Sequence, residues 1–329
     1  MPTQVGLRAF VLSNQKGNSG VDIIIIGAGA MGGLFGGLLA ETGQSVRFID
    51  IPGPHLTALM QTGLRLQIDG GDRTISVHAG TADSFSGPCE LAIVFTKGPH
   101  TEAALLGAAH LIGPESRILT VQNGLGNEAA IRKAIPHARV ATGMTSWPAD
   151  LIGPGHVASH GHGTVRIWST EPEPETAMQR IAAVLSAAGL DCIADPQVDV
   201  AIWEKVAFNA AMNSVSAVTR LPVGPIADNP DGRLLVFAIV LETLAVAKAR
   251  GLAVDADRVR RTLEMAFTEH RGHQPSMLQD VLAGRPTEIE NINGAIVAYA
   301  AELGIDTPVT KSLRDLVRLI SQARAAKLE

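Results

Sequence analysis

Hydrophobic and polar positions along the chain fall into two regimes. From Val21 to about Asp195, short apolar runs alternate with helical periodicities, the pattern of a parallel sheet covered on both faces. The runs predict strands at Asp22 to Ile26, Ser45 to Ile49, Leu91 to Thr96, Arg117 to Gln122 and Val140 to Met144. Helices are expected at Met31 to Glu41, Thr101 to Leu111, Glu128 to Ile135 and Thr176 to Ala188. LRLQIDGGDRTISVHAG reads as two alternating strands around an Asp-Gly-Gly-Asp turn, a hairpin inserted or added at a sheet edge, and a second hairpin is expected near GHVASHGHGTVRIW. After Pro196 the strand signal almost vanishes. Helical periodicity fills about 198–219, 233–250, 255–270, 275–283, 287–303 and 308–326, with Pro222, Pro225, Pro230, Gly251, Pro275, Pro286 and Pro308 as breakers. The expected units are a loose extension over 1–20, a strand-and-helix domain over 21–195 and an all-helical domain over 196–329.

Two stretches resist the simplest reading of their pattern. Ile23 to Ala40 is eighteen residues without a charge and carries small-xxx-small spacings such as Gly29 to Gly33, as membrane helices do. Yet the glycines follow four isoleucines, a β-branched run that favours strand, so strand, turn and helix is the better reading. The preceding twenty residues lack the apolar core and cleavage site of a signal peptide. In the second stretch, WEKVAFNAAMN, Lys205, Asn209 and Asn213 recur every four residues and form one polar stripe on a helix that is otherwise mostly apolar. A helix apolar nearly all round is buried, so the stripe is expected to face a polar cleft rather than solvent.

Composition narrows the function classes. The 329 residues suffice for two cores, with 46% hydrophobic and 4% aromatic residues. A net charge of −5 without a long basic block disfavours nucleic acid or an anionic membrane as partner and leaves a small molecule. Cys89 and Cys192 match no metal or redox spacing, as expected of inert thiols in the cytoplasm.

IIIIGAGAMGG carries G-x-G-x-x-G at Gly27, Gly29 and Gly32, with Ala30 and Met31 opening the helix. The first glycine permits the tight turn, the second admits a pyrophosphate, and the third lets helix pack on strand. With a strong strand before it and a second strand ending at Asp50, the motif predicts a Rossmann-type, dinucleotide-binding α/β domain followed by the all-helical one. A carboxylate at Asp50 suits ribose hydroxyls and repels a 2′-phosphate, which favours NAD. Asp50 before Ile51-Pro52-Gly53 is also a common turn residue.

In order along the chain, GAGAMGG, VFTKG (Lys97, Gly98), QNGLG (Asn123), WEKVAFNAAMNSVSAVT, PSMLQDV (Ser276) and TEIENINGAIV (Glu288) resemble the ketopantoate reductases from Val21 onward. The resemblance implies hydride transfer from a nicotinamide to the keto carbon of a small 2-keto acid, most simply 2-dehydropantoate. It implies Lys205 as general acid, Glu288 beside it as substrate orienter, Asn209, Asn213 and Ser276 as substrate donors, and Lys97 and Asn123 beside the nicotinamide end of the cofactor. Taken alone, Glu288 and Ser276 would read as ordinary helix-start residues. One departure bears on the cofactor: where NADPH-dependent members commonly carry a basic residue, FIDIPGPH has Ile51. NAD is therefore expected, with NADP the alternative. A D-2-hydroxyacid (mandelate-type) dehydrogenase and a non-catalytic nicotinamide sensor are the competing functions, and retention of Lys205 with Glu288 speaks against the sensor. A homodimer through apolar faces of the helical half is compatible with the sequence.

His156, His160 and His162 invite a metal reading, but no acidic or thiol partner is adjacent and glycines indicate a turn, so no metal is expected. The helix with Glu242, Lys248 and Arg250 reads as ordinary amphipathic packing. Trp147, Trp203 and Met277 are candidates for shaping the substrate pocket.

Overall fold

The computed structural model describes residues 20–69 and 71–325; the expected N-terminal extension and one turn glycine, Gly70, lie outside them. The strand half contains β1 (Asp22–Ile26), β2 (Ser45–Ile49), β3 (Leu64–Ile68), β4 (Gly71–Ile75), β5 (His78–Gly80), β6 (Cys89–Val94), β7 (Ile112–Thr120), β8 (Arg139–Thr145), β9 (Asp150–Gly153), β10 (His156–Ala158), β11 (Val165–Ser169) and β12 (Cys192–Ala194). Its helices are α1 (Ala30–Glu41), α2 (Pro54–Thr62), α3 (Thr101–Gly107), α4 (Asn127–Ala134) and α5 (Glu175–Ala187). Eight strands form one sheet in the order β12-β11-β8-β7-β6-β1-β2-β5, parallel from β5 through β8. Strand β11 then runs antiparallel to β8. The chain winds outward in opposite directions from β1 and β6, and the crevice at such a reversal is where open α/β sheets take ligands.

A second sheet, β4-β3-β10-β9, covers α1. It contains the first expected hairpin, β3/β4, and corrects the second. The β3/β4 hairpin does not extend the main sheet, because β3 pairs with β10. The other hairpin joins β9 to β10, while Val165–Ser169 crosses to the main sheet. The two sheets explain the membrane-like stretch. A Cβ on Gly36 would lie 2.5 Å from the Phe48 ring of the main sheet, and one on Gly33 2.7 Å from Val157 of the second. Up to its last residue, Glu41, helix α1 is uncharged and glycine-rich because it is buried between two sheets, not because it meets lipid. Among the described residues no helix is long and apolar enough to cross a membrane.

The helical half comprises α6 (Val198–Thr219), α7 (Val223–Asp228), α8 (Pro230–Ala249), α9 (Ala256–Glu269), α10 (Ser276–Ala283), α11 (Ala295–Leu303) and α12 (Pro308–Ala325). Helix α6 is its axis, packed by α8, α9, α10 and α12 and resting on β8. Fourteen of its residues are buried, which is why its sequence lacks a solvent face. The helix expected over 287–303 is corrected: regular α-helix starts at Ala295, after a π-helical turn over Glu290–Gly294. The sequence reading missed α2, α7, β5 and β12, all short. It also undervalued α8. Glu242 caps the start of α12 by accepting from Val309 N (3.0 Å), Thr310 N (2.8 Å) and Thr310 Oγ1 (2.6 Å), and Arg250 stacks 4.1 Å from the Tyr299 ring centre.

Candidate active site

Two of the glycine loop's three expected tasks, the tight turn and the close helix packing, are visible in its geometry. Gly27 adopts φ +93°, a conformation that favours glycine, and a Cβ on Gly32 would overlap Gly27 O. At Gly29, the residue preceding α1, a Cβ would meet nothing within 4 Å, so the loop leaves room for a phosphate where the helix N–H groups begin. Ala30 and Met31 form the first turn of that helix. Asp50, at the end of β2, accepts from Ala28 N at 2.9 Å and from Ile51 N at 2.7 Å. Each carboxylate oxygen keeps a further lone pair. Ile51 beside it is 79% exposed. His55 on α2 also braces this loop and was not foreseen: its Nδ1 accepts from Gly155 N at 3.0 Å, which leaves Nε2–H to donate to Ala28 O at 2.8 Å.

The polar stripe on α6 does not face solvent. Lys205 Nζ donates to Asn123 Oδ1 at 2.8 Å and to the Thr145 carbonyl at 2.6 Å, so the helix reaches the carboxyl ends of β7 and β8. Burial pushes the Lys205 ammonium down to about 8, while the negative charge of Glu288 partly opposes that shift. Asn209 and Asn213 are buried, yet neither side chain has a hydrogen-bond partner among the described residues, and their amide atoms are not sealed from open space. Lys205 and Asn209 line a cleft of about 490 Å³ whose other walls include Met144, Val200, Phe208 and Val259.

Glu288 is half-buried just before the π turn, and burial raises its proton affinity; the nearby Lys97, a hydrogen bond from Asn123 and Lys205 pull the other way. Lys97 follows β6 and reaches across to α10, where its Nζ lies 2.5 Å from Asp280 Oδ2. Asp280 was missed because one acid on a short helix carries no distinguishing pattern. Ser276 is exposed at the first position of α10, one turn before Asp280 and so on the same side of the helix. The π turn supplies a further unforeseen contact. Asn291 O accepts from Leu125 N at 2.7 Å, and a Cβ on Gly98 or Gly124 would collide with Asn291. Gly98 of VFTKG and Gly124 of QNGLG are therefore close-approach points for the helical half.

The remaining candidates separate. His156 points to Gln67, His160 to Asp69 and His162 to Trp147. No cluster of three potential metal ligands occurs among the described residues. Trp203 and Met277 are buried in the helical core, and Trp147 donates its Nε1–H to Leu190 O at 2.9 Å. Both cysteines are buried free thiols, raised by burial to about 11 at Cys89 and about 12 at Cys192.

Comparison with known proteins agrees with this arrangement. The model of ketopantoate reductase PanE/ApbA matches residues 23–171, and that of its C-terminal region matches residues 197–321. A 2-dehydropantoate 2-reductase of Streptococcus pyogenes serotype M3 is 31% identical over 296 residues, covering 90% of this chain and 96% of that protein. The chain belongs to the ketopantoate reductase family. Another relative in this family of oxidoreductases, from Halobacterium salinarum, is 31% identical and covers 90% of this chain and 98% of its own. A ketopantoate reductase structure from Ralstonia eutropha JMP134 superposes with TM-score 0.84 at 32% identity, covering 92% of this chain and 99% of that one. A D-mandelate dehydrogenase solved with NADH and anilino(oxo)acetate superposes with TM-score 0.88 at 30% identity and the same coverage.

Proposed function

We propose that the protein reduces a small anionic 2-keto acid, 2-dehydropantoate, to the 2-hydroxy acid, using a nicotinamide dinucleotide. The observation that carries the reading is the buried Lys205 ammonium held by Asn123 and Thr145 at the carboxyl end of the sheet. An ammonium has three N–H donors, and these two bonds leave one for a substrate carbonyl. With its proton affinity lowered to about 8, Lys205 is mostly charged at neutral pH and still a competent acid.

The glycine loop fits a dinucleotide, with open space at Gly29 and an acceptor at Asp50. Gly27, Gly29, Ala30, Met31 and Gly32 would hold the pyrophosphate, Asp50 the adenosine ribose, and Lys97 and Asn123 the nicotinamide end. The nicotinamide supplies a hydride when bound. Lys205 donates its proton to the oxygen on which negative charge develops, and afterwards recovers one from water. Glu288 orients the substrate hydroxyl and balances the site charge. Asn209 and Asn213, whose amides have no partner among the described residues, bind the substrate's hydroxyl and carboxylate together with Ser276. NAD is the proposed form, because Asp50 and the exposed Ile51 offer a 2′-phosphate a negative charge and no cation.

A second reading, a mandelate-type D-2-hydroxyacid dehydrogenase, is favoured by the room that Met144, Val200, Phe208 and Val259 give an apolar side chain in a cleft otherwise lined by polar residues such as Arg166, Asp195 and Arg258. The reading takes the enzyme as cytoplasmic and as a homodimer joined through exposed apolar positions of α8 such as Leu234 and Leu241, which light scattering tests directly. The deciding experiment follows nicotinamide oxidation with ketopantoate, NADH against NADPH at matched concentrations. NADH-dependent turnover supports the whole reading, and turnover only with NADPH removes the cofactor choice. Turnover only with aromatic or branched 2-keto acids moves the assignment to the second reading.

A further inference from the structure

Asp280 carries more interactions than its place on a short helix requires. Its side chain is only 8% exposed and both oxygens are engaged, Oδ2 with Lys97 Nζ at 2.5 Å and Oδ1 with Arg285 Nε at 2.9 Å. Lys97 also donates to Pro286 O at 3.3 Å, and Arg285 N to the Asp280 carbonyl at 2.8 Å. Lys97 belongs to the strand half and Asp280 to the helical half, so one carboxylate joins them. A buried ion pair is weak evidence for stability in itself, since desolvation offsets much of the attraction. The surroundings suggest another use. The charged groups that act on the Glu288 carboxyl are Lys97 and Lys205, which favour its charged form as the Asn123 hydrogen bond does, and Asp280, which opposes it.

We propose that Asp280 is a positioning residue that clamps the Lys97 ammonium to the helical half, fixing a cation near Glu288 and fastening the two halves beside the reacting groups. The inference rests on the reductase reading for the role of Glu288, and on the distances above for the clamp. Lys97 is 39% exposed and has no other anchor among the described residues than Asp280 and Pro286. Without the carboxylate it is free to leave α10. Asp280 acts on Glu288 in two opposed ways: its own charge raises the proton affinity, and by holding Lys97 it lowers it. A mere brace for the loop after α10 has only the first effect, the same with and without the Lys97 ammonium.

The test labels the protein with carbon-13 at the glutamate δ-carboxyl and follows Glu288 by NMR, assigning its resonance by its loss in Glu288→Gln. Lys97→Met should raise the proton affinity of Glu288, and in that background Asp280→Asn should lower it, since only the loss of its own charge then counts. With Lys97 present, Asp280→Asn should lower it less or raise it, because the released ammonium no longer favours the charged form of Glu288. In parallel, kcat with ketopantoate and NADH should fall in Asp280→Asn on the order of tenfold to a hundredfold, the usual cost of a misplaced group. Equal Glu288 shifts on Asp280→Asn with and without the Lys97 ammonium overturn the proposal. If Asp280→Asn does not fold, Asp280→Ala takes its place in the same comparison. Wild-type protein that reduces no 2-keto acid would remove the reductase reading and still leave the titration to decide the clamp.

Discussion

Lys205 and Asn123 meet at 2.8 Å across the boundary between α6 and the end of β7, with the amide oxygen accepting from the ammonium. That pairing fixes a direction for the lysine. It also leaves the ammonium poorly hydrated, which is why its proton affinity falls to about 8.

Keto-acid reduction should therefore lose rate as pH rises through about 8, because the general acid must carry its proton, and oxidation of the hydroxy acid should gain rate over the same range. Glu288 raises the lysine's proton affinity, so Glu288→Gln should move this limb to lower pH. Profiles of kcat/KM in both directions check it; a limb that moves upward in Glu288→Gln contradicts the assigned coupling.

Replacing Lys205 by alanine should cost about 10²- to 10⁴-fold in kcat, the range for a lost acid. NADH affinity, followed by nicotinamide fluorescence, should change little. Full turnover in Lys205→Ala would refute the mechanism.

Asp50→Ala should raise NADPH use relative to NADH, measured as the ratio of kcat/KM values. Because Asp50 also accepts from Ala28 N, affinity for both nucleotides should fall somewhat. An unchanged ratio would remove Asp50 from cofactor choice.

Gly36, within α1, and Gly29, just before it, should behave oppositely. Gly36→Ala drives a methyl into the Phe48 ring and should cost about 1–3 kcal/mol, read as a lower denaturation midpoint. Gly29→Ala meets open space, so it should fold normally while binding the dinucleotide more weakly. Equal stability of the two variants would contradict the packing described for α1.

The parts of this architecture that follow local rules are legible in the sequence. The isoleucine strand, the glycine turn and the breakers between the later helices are examples. The stripe of Lys205, Asn209 and Asn213 was readable because an apolar helix has no solvent face to assign it to. Pairings between distant segments were not readable. Nothing local says that Arg65 lies opposite His156, so the second sheet appeared as two separate hairpins. Asp280, Asn291 and His55 escaped for a related reason, since each acts by reaching another part of the chain. The start of the last motif was misread because a π turn has no period of its own, and TEIENING looks like an ordinary helix beginning.

The burial of α1 on both sides changes what its glycines signify. Gly29 meets open space and answers to the proposed nucleotide, but Gly32 answers to Gly27 O, and Gly33, Gly36 and Gly37 answer to Val157, Phe48 and Leu64. A descendant of this chain that gave up its cofactor would be released from the first constraint and remain bound by the second. Its glycine-rich segment would persist as a fossil of architecture, and only the state of Gly29 would tell the two histories apart.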